Sequence, residues 1–121
     1  MARWLVALGA VQGLAAVGAA AAAAHLAAGR LDAARMRTID AAVQMQGWHA
    51  LAVVACGLLA AQGGTLAVWA GIAFLIGSLL FCGSAWLVGA AGLSLGPTAP
   101  TGGLALMLGW LLLAVSALRA A

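Results

Sequence analysis

The feature that most constrains this chain is the absence of charge over two long stretches. No Asp, Glu, Lys or Arg occurs between Arg3 and Arg30, and none occurs from Ala41 to Leu118. An α-helix needs about 20 apolar residues to cross the hydrocarbon core of a bilayer. The first stretch therefore predicts one membrane span, and the second stretch has room for three.

Turn-forming residues divide the second stretch. Residues 62–65 read Q-G-G-T, which predicts a tight polar turn, and Pro97 and Pro100 remove backbone donors from a continuing helix. These breaks leave four segments of spanning length. The predicted spans are about 4–28, 41–61, 66–91 and 102–119.

Composition and backbone chemistry fix the fold class. The chain is 67% hydrophobic and 6% charged, whereas soluble domains are about 25% charged. A backbone in lipid must satisfy its own hydrogen bonds, so it forms helices or a closed barrel. Ala and Leu dominate, and no stretch alternates with a period of two. We therefore expect an all-α membrane protein with a single domain, a four-helix transmembrane bundle with short loops.

The net charge of +3 comes from five Arg and two Asp. The Arg residues are dispersed, which is typical of helix ends in the lipid headgroup region and not of a nucleic-acid surface. Segment 29–40 is the only charged loop, and we expect it to lie along the headgroups. The abundance of Ala, Gly and Arg without Lys is typical of a GC-rich bacterial genome, so the expected location is a bacterial inner membrane.

Small residues inside the predicted spans indicate how the helices pack. Membrane helices associate where small side chains let their backbones approach closely. The first span carries a G-x-x-x-G pattern, and glycines recur along the third and fourth spans. The predicted packing residues are Gly9, Gly13, Gly77, Gly102, Gly103 and Gly109.

Polar side chains inside spans are costly and are therefore candidates for a site. His25 ends the first span and His49 lies on its antiparallel neighbour, so we expect the two rings to meet. Three interpretations of this pair are open. In order of preference, it is a neutral hydrogen-bonded contact, a ligand or ion site, or a metal or haem site. The polar residues should converge in one half of the bundle, in a pocket opening toward loops 29–40 and 92–101. The candidates are His25, Gln46, His49, Cys82, Ser84 and Trp86.

Enzyme chemistry is not expected. No span contains Asp or Glu, so paired carboxylates and a Ser/His/Asp triad are both excluded there. We expect a non-enzymatic structural, assembly or accessory protein without a cofactor, whose partners are the lipid bilayer and a homo-oligomer or larger membrane complex. The alternatives are a small oligomeric transporter or channel, and a redox protein binding haem or metal through His25 and His49.

Four short motifs, in order, resemble the small membrane-protein family known as domain of unknown function 423, called transmembrane protein 256 in animals. The family patterns are G-A-F-G-A-H, Y-Q-x-x-H-A-L-A, G-x-x-x-F-S-G-S-L-Y and T-P-x-G-G. The matching residues are 24–25, 45–52, 77–86 and 99–103. Cys82 replaces a serine of the pattern, and Met45 and Trp86 replace tyrosines, so no function of those hydroxyls is carried over. The resemblance implies the fold, no particular activity, and cytoplasmic termini.

Overall fold

The computed structural model describes residues 2–27 and 29–120, which are almost entirely helical and contain no strand. Each of its four long helices is long and apolar enough to cross a membrane. The predicted all-α transmembrane bundle is confirmed. The helices are α1 (Arg3–Ala22), α2 (Ala33–Ala60), α3 (Thr65–Trp86) and α4 (Thr98–Ala120), and π-helical turns extend α1 (Ala23–Ala27) and α3 (Leu87–Ala91).

Consecutive helices run antiparallel and pack in chain order. α1 lies along α2, α2 along α3, and α3 along α4. The connections at 29–32 and 92–97 therefore lie at one end of the bundle. The turn at 61–64 and the ends of the described chain lie at the other.

The second helix begins earlier than the sequence predicted. Asp32 has an extended backbone, and its carboxylate accepts a hydrogen bond from the Arg35 amide at 2.8 Å, which caps the helix that starts at Ala33. Most of segment 29–40 is therefore the first two turns of α2, and the predicted interfacial segment is wrong. The capping signal D-A-A-R was present in the sequence, but the charged residues around it concealed the start of the span.

These first turns of α2 are tied to the end of α3. The Arg35 side chain donates from Nε to the Gly89 carbonyl at 2.8 Å and from Nη2 to the Ala90 carbonyl at 2.7 Å. Carbonyls at a helix end lack partners within the helix, and a cation there also complements the helix dipole. Ile39 is 1% exposed, and a Cβ placed at Gly89 would lie 2.5 Å from it. The packing of Ile39 and the hydrogen bonds of the charged Arg35 thus hold segment 33–40 against the end of α3.

The fourth helix also begins before its predicted start at 102. It starts at Thr98, whose hydroxyl donates to the Leu95 carbonyl at 2.9 Å. Pro100 lies in the first turn, where a missing backbone N–H breaks no hydrogen bond within the helix. The proline therefore marks the beginning of this helix rather than a break before it.

Small residues set the closest contacts between helices. A Cβ on Gly9 would lie 2.9 Å from the Ala50 carbonyl oxygen, and one on Gly102 would lie 2.9 Å from the Gly77 carbonyl oxygen. On Gly109, a Cβ would lie 2.7 Å from the Phe74 ring. Gly13 and Gly103 have looser surroundings, with nearest atoms at 3.8 and 3.9 Å. Three further close contacts, which the sequence reasoning missed, are at Gly57, Gly71 and Gly89.

Large apolar side chains cover the outside of the bundle. Leu14, Val17, Leu79 and Leu118 are each more than 70% exposed. The largest side chains that are fully buried are Phe74, Leu5, Ile39, Val53 and Cys56. An apolar surface over a small core of this kind is what a lipid environment requires.

Candidate functional site

A reciprocal pair of hydrogen bonds joins α1 and α2 near the middle of the bundle. The Gln12 side-chain amide donates to the Gln46 backbone carbonyl at 3.1 Å, and the Gln46 side-chain amide donates to the Gln12 backbone carbonyl at 3.5 Å. Each side chain thus bonds the main chain of the opposite helix. Such bonds fix the relative position of two helices in a medium that offers no water as an alternative partner.

The same two amides extend the contact to α3. Gln12 Nε2 also donates to the Ser78 hydroxyl at 3.1 Å, and Trp86 Nε1 donates to Gln46 Oε1 at 3.3 Å. We call these four residues, Gln12, Gln46, Ser78 and Trp86, the central polar cluster. Three helices therefore meet through a single connected set of hydrogen bonds.

The central polar cluster borders a cleft of about 410 Å³, the central cleft. Of the predicted pocket residues, Gln46, Cys82 and Trp86 line this cleft. The complete lining is Gln12, Gln46, Leu75, Ser78, Leu79, Cys82, Gly83 and Trp86.

The depth of this cleft differs from the prediction. Gln46 and Ser78 each lie near the midpoint of their spans, Ala33–Ala60 and Thr65–Ala91. Gln12, which was not among the predicted pocket residues, belongs to the same cluster. The polar residues therefore gather at the centre of the bundle and not only in the half beside loops 29–40 and 92–101.

His49 belongs to a separate group of side chains. It is buried, its Nε2 accepts from Trp110 Nε1 at 3.1 Å, and its Nδ1 lies 2.6 Å from the Met45 carbonyl oxygen. Because Nε2 is the acceptor, Nδ1 carries the proton and donates to Met45. The ring also packs against Phe74, with centroids 5.6 Å apart. The Nε2 contact therefore joins α2 to α4, while the Nδ1 contact is made within α2 itself.

His25 lies elsewhere, so the expected contact between the two histidines is wrong. Its side chain is exposed in the π-helical turn that ends α1. The error came from the start of α2: with that start at Ala33, the 16 residues to His49 place its ring about 24 Å along the helix from the connection that His25 adjoins. The shared metal or haem site predicted at His25 and His49 is therefore not formed.

Ser84 is buried but does not line the central cleft. It lies seven residues after Gly77, two helical turns along the face of α3 that packs on α4. Cys56 and Cys82 are both buried and free. The six predicted pocket residues thus divide among the cleft, the interface of α4 and the outer surface.

A second cavity lies at the end of the bundle opposite to the one where the polar residues were predicted to converge. We call it the terminal pocket; it has a volume of about 370 Å³. It lies between the turn at 61–64 and the last turns of α4. The lining residues are Leu59, Gln62, Gly63, Gly64, Thr65, Leu66, Ser116 and Arg119.

The sequence held weak signals for the residues that were missed. Gln12 is an amide inside the first uncharged stretch, but its partners on other helices cannot be identified from one sequence. Ser78 lies inside the third motif, and Trp110 follows the glycine at 109. A polar or aromatic side chain next to a tight glycine contact would have indicated Ser78 and Trp110, but not Gln12, because Gly13 has looser surroundings.

The fold and these internal contacts define a small multi-pass membrane protein with four antiparallel spans. The chain belongs to the family described as "Protein of unknown function (DUF423)", whose pattern matches residues 19–103. The family resemblance predicted from the four motifs is confirmed. The match runs from the last turns of α1 to the first turns of α4.

The relatives are membrane proteins of similar length. The chain is 30% identical over 115 residues to a UPF0382 membrane protein of Staphylococcus haemolyticus, covering 94% of each chain. It is 31% identical over 115 residues to one of Staphylococcus epidermidis, again covering 94% of each. It is 28% identical over 121 residues to the UPF0382 inner membrane protein YgdD of Escherichia coli, covering 97% of this chain and 91% of the relative. No solved structure matches.

Proposed function

We propose that this chain is a non-enzymatic accessory or assembly protein of a bacterial inner membrane, acting as a homo-oligomer or within a larger membrane complex. The observation that carries the proposal is the use of its intramembrane polar groups. Gln12 and Gln46 bond the main chain of each other's helices. Both ring nitrogens of His49 are engaged, by Met45 and Trp110. A catalytic group must instead be free to contact a substrate.

The positions of the acidic residues also support a non-enzymatic role. Asp32 and Asp40 are the only carboxylate side chains, and both are exposed around the first two turns of α2. The Asp32 carboxylate already caps that helix through the Arg35 amide. Neither residue lines the central cleft or the terminal pocket, so neither cavity has a side-chain carboxylate for acid–base chemistry.

One outer face of the bundle is suited to contact another helix. Ala15, Gly18 and Ala22 are exposed on α1 at spacings of three and four residues, and the exposed His25 follows at a spacing of three. A Cβ at Gly18 would meet nothing within 4 Å in the described chain. Small residues on one helical face allow close association of membrane helices, and a polar side chain at such a face gains a partner by it.

Substitution of Gly18 tests the proposed association. Gly18→Leu should leave the fold of the single chain intact, because no atom of the chain is near its Cβ, but should block close approach of a second helix. The matched control is Gly47→Leu on α2, where a Cβ also meets nothing within 4 Å. Subunit number would be measured by native mass spectrometry and by cross-linking in membranes. Association that Gly18→Leu leaves as strong as Gly47→Leu does would contradict this interface.

The central cleft favours a second candidate, a small transporter or channel. The cleft has a volume of about 410 Å³, lies near the middle of the bilayer and is bordered by amide and hydroxyl groups. These properties suit transient binding of a polar solute during transport. Gly83→Leu would fill the cleft from α3, since a Cβ at that position meets nothing within 4 Å. Loss of solute flux in proteoliposomes with unchanged thermal stability would favour transport over the accessory role.

We further propose that both termini face the cytoplasm. The support is the family resemblance together with the inner membrane location named for the relative of Escherichia coli. Reporter fusions to either terminus test the orientation, since alkaline phosphatase is active only outside the cytoplasm. Phosphatase activity at the termini would reverse the proposed orientation.

A further inference from the structure

The terminal pocket is lined by hydrogen-bond donors that the described chain leaves unused. It lies where the turn at 61–64 leads into α3, against the last turns of α4. Because this turn joins two spans, the pocket lies at the level of the lipid headgroups on one side of the membrane.

The first of these donors are backbone amides at the start of α3. Gly64 precedes the helix without a side-chain cap, and the first turn contains no acidic residue. The Ala67 amide bonds the Gly64 carbonyl at 3.1 Å, while the amides of Thr65 and Leu66 have no partner within residues 2–27 and 29–120. α3 has 22 residues, so the positive end of a full helix dipole lies at this point.

Ser116 supplies a second and independent observation. Ser116 is only 6% exposed and lines the pocket, and its hydroxyl makes no hydrogen bond within the described part of the chain. The hydroxyl lies close to the start of α3, since a Cβ built on Gly64 would lie 3.4 Å from Ser116 Oγ. No buried side-chain nitrogen or oxygen of the described residues lacks a partner, so the Ser116 oxygen is open to the pocket that it lines. A hydroxyl donor open to the pocket, beside the start of α3, suits a ligand that accepts hydrogen bonds.

Among the described residues that line the pocket, one side chain is charged. Arg119 lines it, and neither Asp32 nor Asp40 does, because both belong to the opposite end of the bundle. The side chains of Gln62 and Thr65 add two further polar groups at the rim. The combination of helix amides, hydroxyl and guanidinium matches the requirements of an anion with several acceptor oxygens.

We propose that the terminal pocket binds a phosphate group. The amides of Thr65 and Leu66 and the Ser116 hydroxyl bond its oxygens, and Arg119 neutralises its charge. The volume of about 370 Å³ also admits part of the group to which the phosphate is esterified. This chemistry is supplied by the headgroup of an anionic phospholipid or by a free phosphate in the adjoining solution.

Lipid retention by the purified full chain tests the site. Native mass spectrometry would compare phosphatidylglycerol with phosphatidylcholine for the wild type and three variants. Arg119→Gln should weaken phosphatidylglycerol binding about tenfold, and Ser116→Ala, which changes no charge, about fivefold. The control Arg37→Gln, an exposed arginine at the other end of the bundle, should leave binding unchanged.

A second measurement separates the two sources of phosphate. Inorganic phosphate would be added to protein in phosphatidylcholine micelles, and the melting temperature recorded. A rise that Ser116→Ala and Arg119→Gln abolish assigns the site to free phosphate, while dependence on these residues for phosphatidylglycerol alone assigns it to lipid. If neither ligand depends on the two residues more than on Arg37, the proposal is overturned.

A fourth variant tests the helix amides directly and controls for a general effect of net charge on binding. Thr65→Glu places a carboxylate in the first turn of α3, where it occupies the free amides itself and suits the helix dipole. The variant should therefore lose phosphate or phosphatidylglycerol binding while keeping or raising its melting temperature. Binding by Thr65→Glu at the wild-type level would also overturn the proposal.

Discussion

The central polar cluster and the terminal pocket both contain glutamine and serine, but their hydrogen-bonding groups are used differently. In the central cluster, Gln12 and Gln46 bond each other's helices, Ser78 accepts a hydrogen bond and Trp86 donates one. In the terminal pocket, the Ser116 hydroxyl and two helix amides remain without partners in the described chain. The hydrogen bonds of the first region therefore hold the helices together, whereas the free donors of the second region are available to a ligand.

The difference shows that a polar residue inside a membrane protein is not in itself evidence of function. The cost of placing an amide in lipid is met as well by a neighbouring helix as by a substrate. What separates the two cases is whether each donor already has an acceptor. By that criterion His49 belongs with the central cluster, because Met45 and Trp110 use both of its ring nitrogens.

The largest expected effect is at the closest helix contact. Gly102→Leu should destabilise the bundle by about 3 kcal/mol or more, because a Cβ at this position lies 2.9 Å from the Gly77 carbonyl oxygen and backbone cannot move aside as a side chain can. The measurement is unfolding in mixed detergent micelles. Gly47→Leu is the control, whereas Gly63 is unsuitable because its φ of +97° would strain any larger residue. Equal stability of Gly102→Leu and Gly47→Leu would show that the α3–α4 contact is not close.

An intermediate effect is expected at the His49 group. Trp110→Phe should cost about 1–2 kcal/mol, since it removes the donor to a buried imidazole nitrogen and leaves that nitrogen unpaired. A double-mutant cycle with His49→Ala should then give a coupling energy of about 1 kcal/mol. Additive effects of the two substitutions would mean that this hydrogen bond contributes nothing, and His49 would again be a candidate ligand.

The smallest effects give the sharpest comparison, because the chemical change is the same in both regions. Ser78 and Ser116 are 5% and 6% exposed, and only Ser78 has a bonded partner in the described chain. Ser78→Ala should cost about 1 kcal/mol, because Gln12 loses an acceptor, while Ser116→Ala should change stability by less than about 0.5 kcal/mol in the absence of ligand. Unfolding of both variants in phosphate-free phosphatidylcholine micelles measures this. A larger loss of stability for Ser116→Ala than for Ser78→Ala would contradict the proposed difference in hydrogen bonding between the two regions.

The architecture could be predicted from the sequence because it depends on charge and hydrophobicity averaged over long segments. Runs of uncharged residues and the turns at 62–65 and 97–100 are enough to count the helices and set their directions. The family motifs then agreed with that order. Neither inference needs the identity of any contact between helices.

The site could not be predicted in the same way, because it depends on register. Starting α2 at 41 instead of Ala33 placed His49 beside His25, although it lies about 24 Å further along the helix. The unpaired amides at Thr65 were hidden for another reason: they belong to the backbone, which every residue shares. The proximity of Ser116 to Gly64 joins positions 52 residues apart, and no local pattern records it.

The contact of Arg35 with the end of α3 has a consequence for how far such sequences can diverge. The guanidinium bonds main-chain carbonyls at Gly89 and Ala90, and every amino acid supplies a carbonyl. Position 90 is therefore free to drift while the arginine is retained. Position 89 is not, because Ile39 occupies the space that a Cβ would need. A lineage that enlarges residue 89 must first shorten residue 39, so the two positions should change together while Arg35 stays fixed.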